Sequence, residues 1–239
     1  MNILVTGGKG YIGSELVKTL KDEGHEVSVY DFKDEPLNDV CDRDRTYTAI
    51  SKVDVVYHLA SLCIVGDSLK QPFKYWDNII VGAKNVLEAC RLYNKRMIFT
   101  STQLAGDSFR CSCCGRLNSP YAEAKREAEK IVETLSDTLV VRLTNIYDLE
   151  EKDPNQSRLF PRLGKMARET GVVKIFPPED TPVILVPLSE CCRKLASYIT
   201  SPKGMIQMEG EHLTIRDVAD RVAAKYGAIV EITERNLNF

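Results

Sequence analysis

The sequence has no apolar run approaching the length of a membrane span, so no membrane partner is expected from a spanning helix. It has no excess of either charge. Lys and Arg total 32 against 34 Asp and Glu, a net charge of −2, which leaves no basic face for nucleic acid or another polyanion. It shows no internal repeat and no low-complexity segment. Nothing ahead of the first strand-like run reads as an export signal. The eight cysteines are therefore expected mostly reduced, and the expected location is cytoplasmic. Histidines are few. His25 and His212 fall in predicted turns without a visible partner, and His58 reads as a strand-end residue held by backbone contacts. What is present is an ordinary globular composition, 44% hydrophobic and 28% charged over 239 residues. That length buries a sizeable core in one domain, or in one domain plus a small lobe.

The chain is organised around its N-terminal stretch. Ile3 to Val5 is apolar without polar alternation, as suits a strand buried on both faces of a parallel sheet. Gly7, Gly10 and Gly13 follow, and Ser14 to Leu20 looks helical. Strand, glycine turn and helix start together make a phosphate site. Gly7 permits the sharp turn, Gly10 leaves room for a pyrophosphate at the helix N-terminus, and Gly13 lets helix and sheet pack closely. The backbone N–H groups and the positive end of the helix dipole then face the phosphates. Glu26 to Tyr30 reads as the second strand and ends at Asp31. A carboxylate there is placed to bond the adenosine ribose hydroxyls and to repel a 2′-phosphate. NAD is therefore favoured over NADP, with Lys33 weakening the preference.

Strands and helices then alternate. Asp42 caps a predicted helix over Arg43 to Ser51, and Val53 to Ser61 is a third strand running into a loop. Pro72 to Tyr93 is a helix with Ile79, Ile80, Ala83, Val86, Leu87 and Cys90 on one face. Arg96 to Ser101 is a fourth strand and Thr102 to Asn118 a loop. Ser119-Pro120, cap plus proline, starts a helix reaching about Ser136, and Leu139 to Leu143 is a fifth strand. The fold class is α/β, a doubly wound parallel sheet (a Rossmann fold). Ligands belong at the carboxyl ends of its strands, where Thr6, Asp31, Ala60 and Ser101 fall. Residues 1–148 are the expected NAD-binding domain. Residues 149–239 are expected to form a short α/β substrate-binding lobe interwoven with it. In that lobe Glu150 to Ser157 is a loop, Arg158 to Thr170, Ser189 to Thr200 and Thr214 to Gly227 are helices, and Val172 to Phe176, Val183 to Val186 and Met205 to Met208 are strands.

Tyr121 and Lys125 lie four apart on one predicted helix face. Tyrosine alone, with a pKa near 10, is a poor base at neutral pH; a neighbouring ammonium stabilises the phenolate. The pair becomes a general acid/base for a hydroxyl or carbonyl. It follows a strand ending in Thr100-Ser101-Thr102, hydroxyls able to hold a substrate oxygen.

These residues carry a resemblance. The chain resembles the extended short-chain dehydrogenase/reductase family, in particular its NAD-dependent epimerase/dehydratase branch acting on nucleotide sugars. The matching motifs are Thr6-Gly7-x-x-Gly10-x-x-Gly13, Asp31, Asp39-Val40, His58-Leu59-Ala60-Ser61, Asn78, Ser101, Tyr121-x-x-x-Lys125 and Arg142-Leu143-Thr144-Asn145-Ile146-Tyr147. The resemblance implies that Gly7, Gly10, Tyr11, Ile12 and Gly13 surround the pyrophosphate, Asp31 binds the ribose, and Asp39 and Val40 sit by the adenine. Leu59, Ala60 and Ser61 would line the cofactor's middle. Tyr121 would be the catalytic base, Lys125 would bind the nicotinamide ribose and tune Tyr121, and Ser101 would bond the reacting oxygen. Thr102, Asn145 and Arg158 are the expected substrate contacts, with Arg162 and Arg168 as further arginine candidates. The implied chemistry is hydride transfer through a transient keto-sugar.

Departures from the family pattern shape that expectation. Dehydratases of the branch place an acidic pair after the serine; Thr102 and Gln103 stand there, which favours an epimerase or a simple reductase. Leu104-Ala105-Gly106 replaces Val-Tyr-Gly, and Asp148 stands where a glycine often follows the tyrosine. The C-terminal half is short for a nucleotide-sugar enzyme, so a smaller sugar-like or carbonyl substrate is the rival, and a non-catalytic NAD-binding module the second. Cys111, Cys113 and Cys114 lie between Ser101 and Tyr121 without the spacing of a closed zinc site, so no metal is expected. Cys191 and Cys192 read as packing. By analogy the helices Pro72–Tyr93 and Ser119–Ser136 would pair in a homodimer.

Overall fold

The computed structural model describes residues 1–106, 119–134, 137–148 and 158–233. Two compact units emerge. Within the described residues, the first holds 1–106, 119–134, 137–143 and 188–208. Its strands are β1 (Asn2–Thr6), β2 (Glu26–Tyr30), β3 (Val55–His58), β4 (Arg96–Thr102), β5 (Thr138–Leu143) and, after three strands of the second unit, β9 (Gly204–Gln207). They form one sheet in the order β2-β1-β3-β4-β5-β9. Every pairing in it is parallel. β1 pairs with β2 on one side and β3 on the other, so the strand order reverses there and opens a crevice at the carboxyl ends.

The helices of this unit form where local chemistry starts them. α1 (Tyr11–Asp22) begins at Gly10, and α2 (Arg43–Ile50) is capped by Asp42, whose side chain accepts from the Arg45 N–H. α6 (Pro120–Val132) opens with Ser119 accepting from the Ala122 N–H and with proline in its first turn, as cap plus proline demands. The long helix expected from Pro72 to Tyr93 is divided. A short α3 (Val65–Lys70) precedes α4 (Pro72–Trp76), a π-helical turn spans Asp77–Val81, and α5 (Gly82–Leu92) follows. The expected apolar face is real: Ile79, Ala83, Val86, Leu87 and Cys90 are buried, with Ile80 packed at its edge. α8 (Leu188–Ser197) packs on α1, buries Cys191 and Cys192, and is tied to β3 by the Tyr57 hydroxyl, which donates to the Leu195 carbonyl at 2.9 Å.

The second unit, within 144–187 and 209–233, holds β6 (Asn145–Tyr147), α7 (Leu159–Thr170), β7 (Val172–Ile175), β8 (Pro182–Pro187), β10 (Glu211–Thr214), α9 (Ile215–Tyr226) and β11 (Ile229–Ile232). β8 sits between antiparallel β10 and parallel β6, and β7 pairs in parallel with β11. Its core joins Leu159, Leu163 and Ala167 of α7 to Val218, Val222 and Ala223 of α9 and to Val173 and Leu185 of the strands. A reciprocal Thr214–Asp217 capping box starts α9. The expected loop over Glu150 to Ser157 lies outside the described residues. Among the described residues no helix is long and apolar enough to cross a membrane.

Candidate active site

The glycine turn is built as its residues require. Gly7 has φ +73, and a Cβ on it would lie 2.7 Å from the Ala60 nitrogen. A Cβ on Gly13 would lie 2.1 Å from the Gly7 carbonyl oxygen, so only glycine brings α1 this close to the β1 turn. Gly10 differs: a Cβ there would meet only the Gly7 oxygen, at 3.1 Å, and otherwise open space. α1 has no side-chain cap. Its first-turn backbone, Tyr11 to Gly13, thus opens on a cradle that a Cβ at Gly10 would fill, as an anion at a helix N-terminus needs.

Asp31 is buried just beyond β2. Its carboxylate accepts from the Lys9 N–H at 2.8 Å and the Lys33 N–H at 2.9 Å, which fixes it between the glycine turn and the strand end. Its oxygens keep lone pairs for further donors. Asp39 is exposed and accepts from the Cys41 N–H through its side chain. Val40 belongs to the core, pressed against Gly82, where a Cβ would lie 2.8 Å from its methyl carbon. Leu59, Ala60 and Ser61 follow β3, half-buried. Leu59 N–H donates to the Thr6 carbonyl, Ala60 N–H to the Thr6 hydroxyl, and the Asn78 side chain accepts from the Leu62 N–H at 2.8 Å. An uncapped helix start, an open glycine and a fixed buried carboxylate on one crevice fit a dinucleotide.

β4 and α6 bring the candidate catalytic groups into the same unit. Ser101 is buried, and its Oγ has no hydrogen-bond partner among the described residues. The Oε1 of Gln103 is orphaned in the same way two residues on. Thr102 is also buried, with its Oγ1 accepting from the Leu104 N–H. Tyr121 and Lys125 are both buried on the α6 face toward β4. The Tyr121 ring meets Tyr75 edge-on at 6.5 Å. Lys125 Nζ donates to the Thr100 carbonyl at 2.9 Å and lies over the Phe99 ring at 4.7 Å. Burial lowers its pKa to about 8, and Cys63 and Glu129 act against the fall. His58 is pushed down to about 3, first by burial and then by Lys125, so it is neutral. It ends β3, held by backbone pairing to β1 and β4 as expected, and its Nδ1 also shares a 2.7 Å hydrogen bond with the Thr6 hydroxyl.

Asn145 and Arg158 belong to the second unit. Asn145 Nδ2 donates to the Ile184 carbonyl at 3.4 Å, and Arg158 is the N-cap residue of α7. Cys111, Cys113 and Cys114 lie outside the described residues; among those described, no group of His, Cys, Asp and Glu is arranged to hold a metal. Sequence reasoning passed over three neighbours of Lys125. Glu129 was legible as the residue one helical turn on. Cys63 and His58 come from β3 and its following loop, and only the sheet order brings them there.

The model of the NAD dependent epimerase/dehydratase family matches residues 3–181. A UDP-glucose 4-epimerase from Yersinia enterocolitica is 34% identical over 164 residues, 57% of this chain and 49% of that protein. The chain spans about half the length of the curated relatives it matches. Among solved structures, the UDP-glucose 4-epimerase of Thermus thermophilus in complex with NAD superposes with a TM-score of 0.80 at 24% identity, over 100% of this chain and 88% of that one. An NAD-dependent NDP-hexosamine 5,6-dehydratase gives 0.83 at 24%, over 100% and 86%. At this identity these are likenesses of fold, shared by an epimerase and a dehydratase alike.

Proposed function

The chain belongs to the NAD dependent epimerase/dehydratase family, whose cofactor is NAD, and from that premise we propose that it is a nucleotide-sugar epimerase working through a transient keto-sugar. When bound, NAD supplies the acceptor and donor of hydride. The backbone of Gly7 to Gly13 holds its pyrophosphate, Asp31 its adenosine ribose, and Leu59 to Ser61 its middle. Lys125 holds the nicotinamide ribose and stabilises the Tyr121 phenolate. Tyr121 takes the sugar hydroxyl proton and later returns it, while the Ser101 hydroxyl bonds the reacting oxygen. Thr102 contacts the substrate from the first unit.

One observation carries this reading: the Ser101 Oγ, orphaned among the described residues. A buried hydroxyl without a partner costs roughly 1–3 kcal/mol, and a substrate oxygen repays it. Thr102 and Gln103, which follow it, are not carboxylates. They cannot perform the acid–base steps of an elimination, which favours epimerase over dehydratase. In use the protein is expected to be a homodimer joined through the α4–α5 and α6 faces, where Phe73 is 82% exposed. Replacing Tyr121 with Phe tests the mechanism. Turnover should fall by roughly 10²–10⁴ while NAD binding, read by calorimetry, is retained. Undiminished turnover would remove Tyr121 from the reaction.

A further inference from the structure

Lys125 must be charged to stabilise a phenolate, yet it is only 3% exposed. Several groups surround its ammonium. β4 offers the Thr100 carbonyl and the Phe99 ring face. β3 offers His58, which is neutral, and the loop after it offers the Cys63 thiol. On α6 itself stand Tyr121 one turn before and Glu129 one turn after. Glu129 is the one carboxylate among these neighbours, and its ion pair with Arg142 makes it the negative charge beside Lys125. Glu129 is itself 3% exposed, and a buried carboxylate is costly unless it is paired. β5 supplies the partner. Arg142 donates from Nε to Oε1 at 2.9 Å and from Nη2 to Oε2 at 2.7 Å, the two-pronged geometry that fixes a carboxylate in place.

We propose that Glu129, clamped by Arg142, is a positioning residue that keeps Lys125 protonated and so keeps Tyr121 competent as a base. Its consequence for Tyr121 rests on the functional reading above; its electrostatic content does not. Without the Glu129 charge, burial acts on Lys125 with less opposition, and the ammonium gives up its proton closer to neutrality.

The test is a titration of the chain without cofactor, its lysines labelled with carbon-13 at Cε. The Lys125 resonance is assigned by its loss in K125R and followed by NMR. The midpoint expected for the unaltered chain is about 8. In E129Q it should fall by about one pH unit, the scale of a charge one helical turn away at intermediate dielectric. E129D, which keeps the charge, should restore most of the fall. If E129Q does not fold, E129Q/R142M removes both charges together, a replacement buried pairs tolerate, and a smaller fall in the same direction is expected, because the opposing Arg142 charge leaves with that of Glu129. A midpoint unchanged within a few tenths in either variant overturns the proposal. A lowered midpoint in a chain that turns over no nucleotide sugar upholds it and sinks the functional reading. An unchanged midpoint with turnover intact does the reverse.

Discussion

Replacing Lys125 with Met should make the protein more stable while abolishing turnover. The fold lowers the Lys125 pKa from 10.5 to about 8, chiefly by burial. A difference of one in pKa corresponds to about 1.4 kcal/mol, so holding the ammonium charged at neutral pH costs the folded state about 3 kcal/mol. Methionine matches the stem and removes the charge. It also gives up the hydrogen bond to the Thr100 carbonyl, a loss of about 1 kcal/mol. The net gain at pH 7 is about 2 kcal/mol. Its pH dependence has a definite sign. Below pH 8 lysine is charged in both states and the full cost applies. Between about 8 and 10.5 the unfolded chain binds the proton and the folded chain does not, so the cost fades with rising pH. Above that range it is gone. The advantage of K125M over the unaltered chain should thus shrink by about 3 kcal/mol between pH 7 and pH 10.5. Comparing the two chains removes the opposing contribution of Cys41 and Cys90. Burial raises Cys41 to about 11 and Cys90 to about 12, and both stabilise the fold less as pH rises past the ordinary thiol range. Denaturant unfolding followed by the single tryptophan, Trp76 on α4, reads the unit that holds Lys125. A stability difference independent of pH would refute the reasoning.

Other substitutions separate fold from function. S101A removes a hydroxyl with no partner among the described residues, so unfolding free energy should stay level or rise slightly, while kcat falls roughly 10²–10³-fold for loss of one donor at the reacting oxygen. G10A should fold and lose NAD affinity about tenfold or more by calorimetry, because its methyl enters the phosphate cradle. G13A should unfold or lose several kcal/mol, because its Cβ has no room against the Gly7 carbonyl; a native circular dichroism melt for G13A would contradict the close helix–strand packing. The alkaline side of the pH–rate profile should fall with a midpoint near 8 as Lys125 loses its proton, and a plateau to pH 9.5 would separate Lys125 from the rate.

The parts of the fold visible in the chain were those written in local chemistry. Apolar strand runs, the three glycines, Asp42 as a cap and Ser119-Pro120 each specify their own geometry, and α1, α2 and α6 begin where these residues say. The π-turn at Asp77–Val81 was invisible because it leaves the apolar rhythm of Ile79, Ala83 and Val86 unbroken. The three-residue strand β6 is too short for an alternation to register. Met205 to Met208 read as a strand, but nothing local says that it completes the main sheet beside β5. The site divides the same way. Tyr121, Lys125 and Glu129 share one helix and one period. Cys63, His58 and the Arg142 clamp reach Lys125 and Glu129 only through strand pairing. The hydroxyl of Ser101 was legible as a candidate, but its lack of a partner among the described residues is a property of the packed structure.

Reversible hydride chemistry on a nucleotide sugar is the activity at stake. The most direct measurement incubates the protein with NAD and a panel of UDP-, GDP- and dTDP-sugars, read together by proton NMR and by absorbance at the NADH band. The expected result is a new sugar isomer with no accumulating NADH. Net NADH formation, or no reaction on any sugar by a chain shown by calorimetry to bind NAD, would contradict it.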